Sequence, residues 1–314
     1  MMPITSNTDE AASDPVCALM TIFRPNVSKT IINLRTILCY ADAVFLLGNS
    51  EIPDALIFDV KIIPVKNRIN IGISRSVNIG AAYALKKGYK YAILFDQDSI
   101  LDEKNFRQLF LEMKHEERYR NVACIGPSLV VSGQVEHIPG WIRNKTLKPV
   151  TKQVVSVKCV ITSGMIVNLR NFSVLKGFDE NFPVDFSDFT FSWKAVHANF
   201  AVLQSSDVYM DHEVGIGTLK VFGKNFLHYH HPYRNYFMSR DALFVCFRLP
   251  DTPFIMRFRS IGLSPMRMLI FILLLKDRKQ RLKMYFLGVM DFFRNRRGFG
   301  SIASLLGADD NTRL

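Results

Sequence analysis

The chain of 314 residues has 48% hydrophobic and 22% charged residues, a composition that is typical of a folded protein and argues against long disordered segments. Its 40 Lys and Arg outnumber its 28 Asp and Glu, which gives a formal net charge of +12. The five cysteines form no CxxC pair, which excludes a disulfide scaffold and a cysteine-based zinc site and fits a reducing compartment. The N-terminal segment lacks the basic region of a signal peptide, and the longest apolar run, 268–275, is far shorter than the about 20 residues that span a bilayer. The sequence therefore predicts neither secretion nor a membrane-spanning helix.

The first part of the chain alternates short apolar strands with amphipathic helices. The strands are predicted at 16–23, 43–47, 61–65 and 91–95, and the helices at 27–40, 73–87 and 102–115. Short, wholly apolar strands that alternate with helices are typical of a mostly parallel sheet covered on both faces. The sequence therefore predicts an α/β domain.

The pattern is looser after about residue 120. Strands are predicted at 122–126 and 154–162, an irregular loop at 132–150, and helices at 188–199 and 231–249. These elements predict a flexible tail at 1–15, one domain at 16–250 with halves at 16–130 and 131–250, and a separate C-terminal region at 251–314.

The C-terminal region is basic and apolar at the same time. Between residues 251 and 298, eleven Lys and Arg and three Asp give +8 of the net charge, interleaved with bulky apolar residues at helical spacing. This pattern is typical of a basic amphipathic helix on an anionic membrane surface. An alternative is a pair of helices packed on the main domain with solvated charges outside. Since no nucleic-acid-binding motif is present, the sequence predicts no nucleic acid partner.

Two carboxylates one residue apart, Asp96 and Asp98, follow the predicted strand at 91–95. Ligands of an open parallel sheet bind beyond the carboxyl ends of its strands, so these side chains are candidates for a functional site. A carboxylate pair in this position favours a hard divalent cation, Mg²⁺ or Mn²⁺, which can in turn bind a diphosphate. In the alternative interpretation, Asp96 and Ser99 only form a turn and cap the next helix.

Four stretches in the same order resemble family 2 glycosyltransferases with the GT-A fold, and in particular their bacterial rhamnosyltransferase branch. The stretches are YAILFDQDS at 91–99, NIGISRSVNIG at 70–80, Thr162-Ser163-Gly164 with GFDE at 177–180, and VDFSDFTFSWK at 184–194. His212 with Gly215 and the run YRNYFMSR at 233–240 also match that branch. The resemblance covers about residues 17–250, with a further similarity at 288–298.

The resemblance implies an inverting, metal-dependent sugar transfer, with L-rhamnose moved from dTDP-L-rhamnose to a lipid-linked oligosaccharide. This would be a step of bacterial O-antigen or capsule biosynthesis, carried out by a peripheral protein on the cytoplasmic face of the plasma membrane. The half at 16–130 would bind the nucleotide-sugar and the half at 131–250 the acceptor. One alternative is the same fold with a UDP-sugar donor (galactofuranose, glucose or GalNAc). Another is a peripheral membrane scaffold that keeps the fold without turnover.

The resemblance also implies roles for individual residues. Asp188 would be the catalytic base, with Asp185 as its rival on the acceptor side beside Ser163 and Gly164, and Asp98 and His212 would bind the metal. The residues expected to contact the nucleotide-sugar are Thr21, Arg24, Asn49, Asn70, Arg75, Asn78, Asp96, Gln97, Arg234 and Arg240, the two last by binding the diphosphate. Simpler alternatives are a helix N-cap for Asp188, a surface ion pair for His212, and solvated helix charges for Arg234 and Arg240.

The sequence departs from the family pattern at three positions. Gly48-Asn49-Ser50 stands where an Asp usually helps to recognise the nucleobase, so that contact is missing or comes from Glu51 or Asp59. Ser187 and Thr190 occupy positions near the expected base that are usually acidic.

Overall fold

The computed structural model describes residues 14–131, 134–135, 142–145, 148–211, 215–221 and 224–308. The strands are β1 (Val16–Ile22), β2 (Ala43–Gly48), β3 (Ile62–Lys66), β4 (Tyr91–Asp96), β5 (Val122–Val131), β6 (Gln134–Val135), β7 (Val154–Ser156), β8 (Ile166–Asn168), β9 (Ala201–Asp211), β10 (Gly217–Val221) and β11 (Lys224–Tyr229). The helices are α1 (Val27–Ile37), α2 (Gly72–Lys86), α3 (Glu103–Glu117), α4 (Leu169–Val174), α5 (Ser187–His197), α6 (Arg234–Phe247), α7 (Phe254–Leu274) and α8 (Arg278–Phe293). Single 3₁₀ turns lie at Asp54–Leu56, Gly300–Ile302 and Ser304–Leu306.

Within the described ranges, nine strands form one sheet in the order β3-β2-β1-β4-β8-β5-β9-β7, with β6 paired to β5. The strands β3, β2, β1 and β4 run parallel, as do β5 and β9, whereas β8 is antiparallel to both of its neighbours. The prediction of a mostly parallel sheet flanked by helices is confirmed, with β8 as an antiparallel strand at its centre.

The sheet is covered on both faces because its central strands β1 and β4 are apolar at nearly every position. In β1, Ala18 and Met20 point into a core with α1 and α3, whereas Cys17 and Leu19 point into a second core with α2 and α5. Successive side chains of a strand point to opposite faces, so a continuous apolar run buries both. This arrangement leaves the ends of the strands as the place for polar residues.

The predicted elements of the first half are confirmed within a few residues, whereas the second half differs more. The strand predicted at 154–162 ends at Ser156, after which the chain leaves the sheet edge and brings residues 162–163 to the end of β4. The prediction did not include β8, because three residues are too short to show a periodic pattern.

The C-terminal helices lie in different environments. Helix α8 packs against α6, where Tyr236, Met284 and Leu306 belong to one buried apolar cluster. Helix α7 exposes large apolar side chains, including Phe258 and Leu273. None of the described helices has both the length and the apolar composition that crossing a membrane requires. The division at residue 250 and the membrane-surface role stay predictions.

Only the end of the predicted tail at 1–15 lies within the described residues. Asp14 forms ion pairs with Lys114 and with Lys90, the latter at 3.3 Å, and thereby ties the start of the described chain to α3 and β4. Residues 1–13 lie outside the described ranges.

Candidate active site

Asp96 ends β4 at the carboxyl edge of the sheet, opposite Thr21 of β1 in the strand register. Its Oδ2 accepts a hydrogen bond of 2.5 Å from Ser163 Oγ, which itself accepts one of 3.1 Å from Ser99 Oγ. Asp98 follows in the exposed turn after the strand. The predicted acceptor-side residue Ser163 is therefore held directly against the predicted donor-side residue Asp96.

Asp188 lies in the first turn of α5, next to the same loop. The chain enters this helix through Phe186, whose φ of 65° is left-handed. The Asp188 Oδ1 accepts from the Phe189 N–H at 2.8 Å, and its Oδ2 accepts from the Thr162 N–H at 3.2 Å. Because Thr162 and Ser163 are adjacent, this loop brings the carboxylates of Asp188 and Asp96 together, and the group of side chains around it is called the cleft below.

The environment of Asp188 favours its neutral form. Burial raises the pKa of Asp188 to about 6, and the negative charges of Asp96 and Asp185 act in the same direction. The two backbone N–H donors oppose this shift and keep the pKa from rising further. A carboxyl group with a pKa in this range can both accept and release a proton near neutral pH.

Arg234, the first residue of α6, forms an ion pair with Asp185 in the same cleft. Burial by itself lowers the pKa of this guanidinium, but Asp185 and Asp96 raise it overall, so Arg234 is charged. Its Nη1 lies 3.2 Å from His230 Nδ1. Burial and the charge of Arg234 lower the pKa of His230 to about 4, so this imidazole is neutral and accepts from Arg234 at pH 7. The charged Arg234 thus lies beside Asp185 and close enough to Asp96 for both carboxylates to raise its pKa.

Arg240 lies away from this cleft, in the protein interior. Its side chain is completely buried, with Nε 2.7 Å from Asp241 Oδ1 and Nη1 donating to the Tyr236 hydroxyl at 3.1 Å. Six residues of helix turn by about 600°, so Arg234 and Arg240 point in directions about 120° apart. The structure therefore brings Arg234, and not Arg240, to the cleft.

The three asparagines predicted to bind the nucleotide-sugar all hold loops together. The Asn49 Oδ1 accepts from the Ser76 hydroxyl at 2.8 Å and from the Ile71 N–H at 3.2 Å, which fixes the end of β2 to the start of α2. Asn70 donates through its backbone N–H to Gly307 O at 3.0 Å, so the C-terminal segment contacts this loop. These contacts define the frame of the predicted nucleotide site, and direct binding stays a prediction.

The third asparagine and Arg75 serve the GFDE turn at 177–180. Asn78 donates to Phe178 O at 3.0 Å and to Glu180 Oε1 at 3.0 Å, while the Arg75 Nε lies 3.7 Å from Glu180 Oε2. Gly177 is needed here, because a Cβ would lie 2.3 Å from Asn78 Oδ1 and its φ is +57°. The resemblance at 70–80 and at 177–180 thus marks two segments that contact each other.

The remaining predicted donor-side residues, Gln97 and Arg24, lie in the turns that follow β4 and β1. The side-chain amide of Gln97 accepts from the Phe23 N–H at 2.8 Å and donates to Phe23 O at 3.1 Å. The Arg24 N–H donates to Ser50 Oγ at 2.7 Å, and the Arg24 side chain is exposed. Gln97 therefore positions the loop that presents Arg24. The cleft also contains His230, which the sequence analysis missed, although the cluster of histidines before Pro232 was a visible signal.

The predicted metal ligands are only partly described. His212 lies outside the described residues, and within them no group of three His, Cys, Asp or Glu side chains has the geometry to hold a metal. Asp98 still offers the type of oxygen ligand that Mg²⁺ and Mn²⁺ prefer. Since Mg²⁺ is usually bound by one or two carboxylates together with substrate phosphates and water, the donor set fits a metal that arrives with a diphosphate.

A carboxylate at the end of β4 and a second one at the start of α5 lie where the resemblance to family 2 glycosyltransferases implies them. The chain is a glycosyltransferase with the GT-A fold, as predicted. The dTDP-rhamnosyl transferase RfbF of Shigella flexneri is 25% identical to it over 294 residues, which cover 91% of this chain and 97% of that protein. The resemblance to rhamnosyltransferases is confirmed by this relative. No protein-family model matches the chain.

Solved structures share the fold at low sequence identity. TarS 1-349 of S. aureus in complex with UDP-GlcNAc matches with a TM-score of 0.53 and 12% identity, over 89% of this chain and 81% of that one. GalNAc-T7 with UDP, GalNAc and Mn²⁺ matches with a TM-score of 0.53 and 11% identity, over 79% of this chain. The match covers 54% of the GalNAc-T7 chain, so this chain spans about half of that protein.

Proposed function

We propose that the protein is an inverting glycosyltransferase that moves L-rhamnose from dTDP-L-rhamnose to an acceptor hydroxyl. The observation that carries this proposal is the pair of carboxylates, Asp96 and Asp188, joined across the cleft by residues 162–163. The relative named as a dTDP-rhamnosyl transferase supports the choice of donor. The UDP-bound neighbours keep a UDP-sugar as the alternative donor.

In this mechanism Asp188 accepts the proton of the acceptor hydroxyl as that oxygen attacks the anomeric carbon. The Thr162 and Phe189 N–H groups fix the orientation of its carboxylate. The charged Arg234, held by Asp185, would stabilise the negative charge that develops on the leaving diphosphate. A Mg²⁺ or Mn²⁺ ion held by Asp98, and by His212 as the resemblance implies, would supply further charge neutralisation. Asp188 and Arg234 thus act from positions that contacts within the protein fix.

The rate of transfer is expected to rise with pH until Asp188 is ionised. Only the carboxylate form accepts a proton, and burial raises its pKa to about 6. The value of kcat/KM should therefore fall about tenfold per pH unit below that pKa. The measurement is a pH profile of nucleotide release between about pH 5 and 8, with circular dichroism at each pH as a control for folding. An acidic limb near the ordinary aspartate value of about 4 would point to another base.

Titration calorimetry with dTDP, UDP and GDP, each with and without Mn²⁺, tests the donor and the metal together. We expect metal-dependent binding of dTDP. Asp98→Ala should weaken that binding by about tenfold or more, because it removes a charged metal ligand. Asp207→Ala, at an exposed carboxylate of β9, is the matched control and should bind like wild type. Preference for UDP would select the alternative donor, and equal binding by Asp98→Ala would contradict the metal site. No binding of any nucleotide would favour the scaffold.

We further propose that the acceptor is a lipid-linked oligosaccharide and that the protein lies on the inner face of a bacterial plasma membrane. The support is the exposed apolar side of α7, where Phe254, Phe258, Leu269 and Leu273 are each more than half exposed, within a region of high positive charge. Monomeric proteins rarely expose contiguous apolar surface of this kind, and basic side chains nearby favour anionic lipids.

Binding to vesicles that contain phosphatidylglycerol is expected to fall when salt is added and when the apolar side of α7 is changed. A double variant, Phe258→Ser with Leu273→Ser, removes two side chains that are 61% and 69% exposed and should lose most of the binding in a sedimentation assay. Leu111→Ser is the matched control, since Leu111 is 50% exposed on α3. If both variants bind like wild type, α7 does not face the membrane.

A further inference from the structure

A cavity of about 1200 Å³ borders the side of α5 that faces away from Asp188. Helix residues Thr190, Trp193 and Lys194 line it. At about 100° per residue they project roughly 140° to 240° away from Asp188 around the helix axis. The segment 294–300, which follows α8, also lines it. Asp96, Asp185, Asp188 and Arg234 are not among the residues that line it, whereas Arg75 and Asn78, which were predicted to contact the nucleotide-sugar, do line it.

The cavity has an excess of positive charge. Among the residues described, six basic side chains line it against three carboxylates: Arg75, Lys176, Lys194, Arg294, Arg296 and Arg297. Arg75 and Arg296 each face a carboxylate, at 3.7 and 3.8 Å. Lys176, Arg294 and Arg297 have no ion-pair partner within the described part of the chain. Arg294 and Arg297 thus carry guanidinium groups that form no ion pair with a described residue.

Several polar groups of the walls are partly removed from water. The Arg297 guanidinium lies 4.9 Å from the centre of the buried Phe244 ring, which leaves its N–H groups available for a ligand. Burial lowers the pKa of Lys194, whose Nζ donates to Gly177 O at 2.7 Å. Trp193 Nε1 and Thr252 Oγ1 belong to side chains that are 3% and 4% exposed, and neither atom has a hydrogen-bond partner in the described structure. Buried polar atoms without partners are rare in folded proteins.

We propose that this cavity is a binding site for a phosphate-bearing ligand. Guanidinium groups bind phosphate oxygens through paired hydrogen bonds, and a nearby anion would also stabilise the charged form of Lys194. The volume, about 1200 Å³, exceeds that of a single phosphate and is above the about 300–1,000 Å³ of typical small-molecule pockets, so it leaves room for a ligand larger than phosphate. Arg294 directly follows Phe293, which is 74% exposed, so the cavity borders apolar surface at the end of α8. A lipid headgroup and a free polyphosphate share this chemistry.

Calorimetric titration of the full chain with inorganic pyrophosphate, without nucleotide and with EDTA, tests the site. Arg294→Gln combined with Arg297→Gln should weaken binding by at least about tenfold, because two charge-assisted contacts are lost. Lys283→Gln, at an exposed position of α8 away from the cavity, controls for net charge and should bind within about twofold of wild type. Both arginines are at least partly exposed, so thermal melts should show that the double variant folds.

Arg234→Gln separates this site from the catalytic cleft. If pyrophosphate binding is lost in Arg234→Gln and retained in the double variant, or if wild type does not bind, the proposal is wrong. A second titration, with dihexanoyl phosphatidic acid, distinguishes the two sources. If phosphatidic acid binds more tightly than pyrophosphate and the double variant loses this binding, the ligand is a lipid headgroup. If phosphatidic acid binds more weakly than pyrophosphate, the ligand is a free polyphosphate. Because no nucleotide is present, these outcomes are independent of whether dTDP binds in the cleft.

Discussion

Asp188→Asn is expected to abolish sugar transfer while leaving nucleotide binding nearly intact. The amide has the same shape and its oxygen can still accept from a backbone N–H, but it does not take a proton from the acceptor hydroxyl. General-base catalysis contributes about 10²- to 10⁴-fold to the rate, so kcat should fall by that factor. Steady-state kinetics of nucleotide release measure the loss, and calorimetric titration with dTDP shows that the donor site is intact.

Asp185→Asn provides the comparison that identifies the base. Asp185 is paired with Arg234, so its loss should weaken binding of the diphosphate and raise KM for the donor. The two variants therefore separate a proton-transfer role from a charge-positioning role. Unchanged turnover in Asp188→Asn, together with a large loss of kcat in Asp185→Asn, would assign the base to Asp185.

The sequence predicts the donor half well because its signals are local. A continuous apolar run buries both faces of a strand, so β1, β2 and β4 and the position of Asp96 at a strand end follow directly from the pattern. The sequence does not predict the contact between Asp96 and Ser163, which are 67 residues apart. That contact depends on the antiparallel strand β8, whose three residues carry no periodic signal.

The predicted role of an arginine depends on its direction, which spacing alone does not give. Arg234 and Arg240 occur in one matching run, yet one reaches the cleft and the other the interior. Likewise, Asn78 lies in a segment that the resemblance places at the nucleotide, yet its side-chain amide donates its hydrogen bonds to the GFDE turn at 177–180. Motif resemblance identified the segments that meet around the site, while packing decides which side chains face it.

Arg240→Met is expected to destabilise the fold by about 3–5 kcal/mol, because it leaves Asp241 buried without its partner. Arg240 and Asp241 are both fully buried, and Arg240 also contacts the Tyr236 hydroxyl. That hydroxyl donates to Asp291 Oδ2 at 2.6 Å, so the pair belongs to a network that joins α6 to α8. Gly300 packs directly against this network, and a side chain at this position would clash, since a Cβ would lie 2.0 Å from the Tyr236 hydroxyl oxygen.

Urea denaturation measures this loss, with Lys283→Met on the exposed side of α8 as a control that should change the free energy of unfolding by less than about 0.5 kcal/mol. Adding Asp241→Leu to Arg240→Met should recover much of the stability, since an apolar pair leaves no buried charge.

Burial already raises the pKa of Asp241 with Arg240 present. Without Arg240, the buried Asp241 of the folded state should take up a proton as the pH is lowered. The loss of unfolding free energy in Arg240→Met should therefore become smaller at lower pH. If Arg240→Met instead keeps full stability and loses dTDP binding, Arg240 is a diphosphate ligand and its buried pairing with Asp241 does not hold α6 to α8.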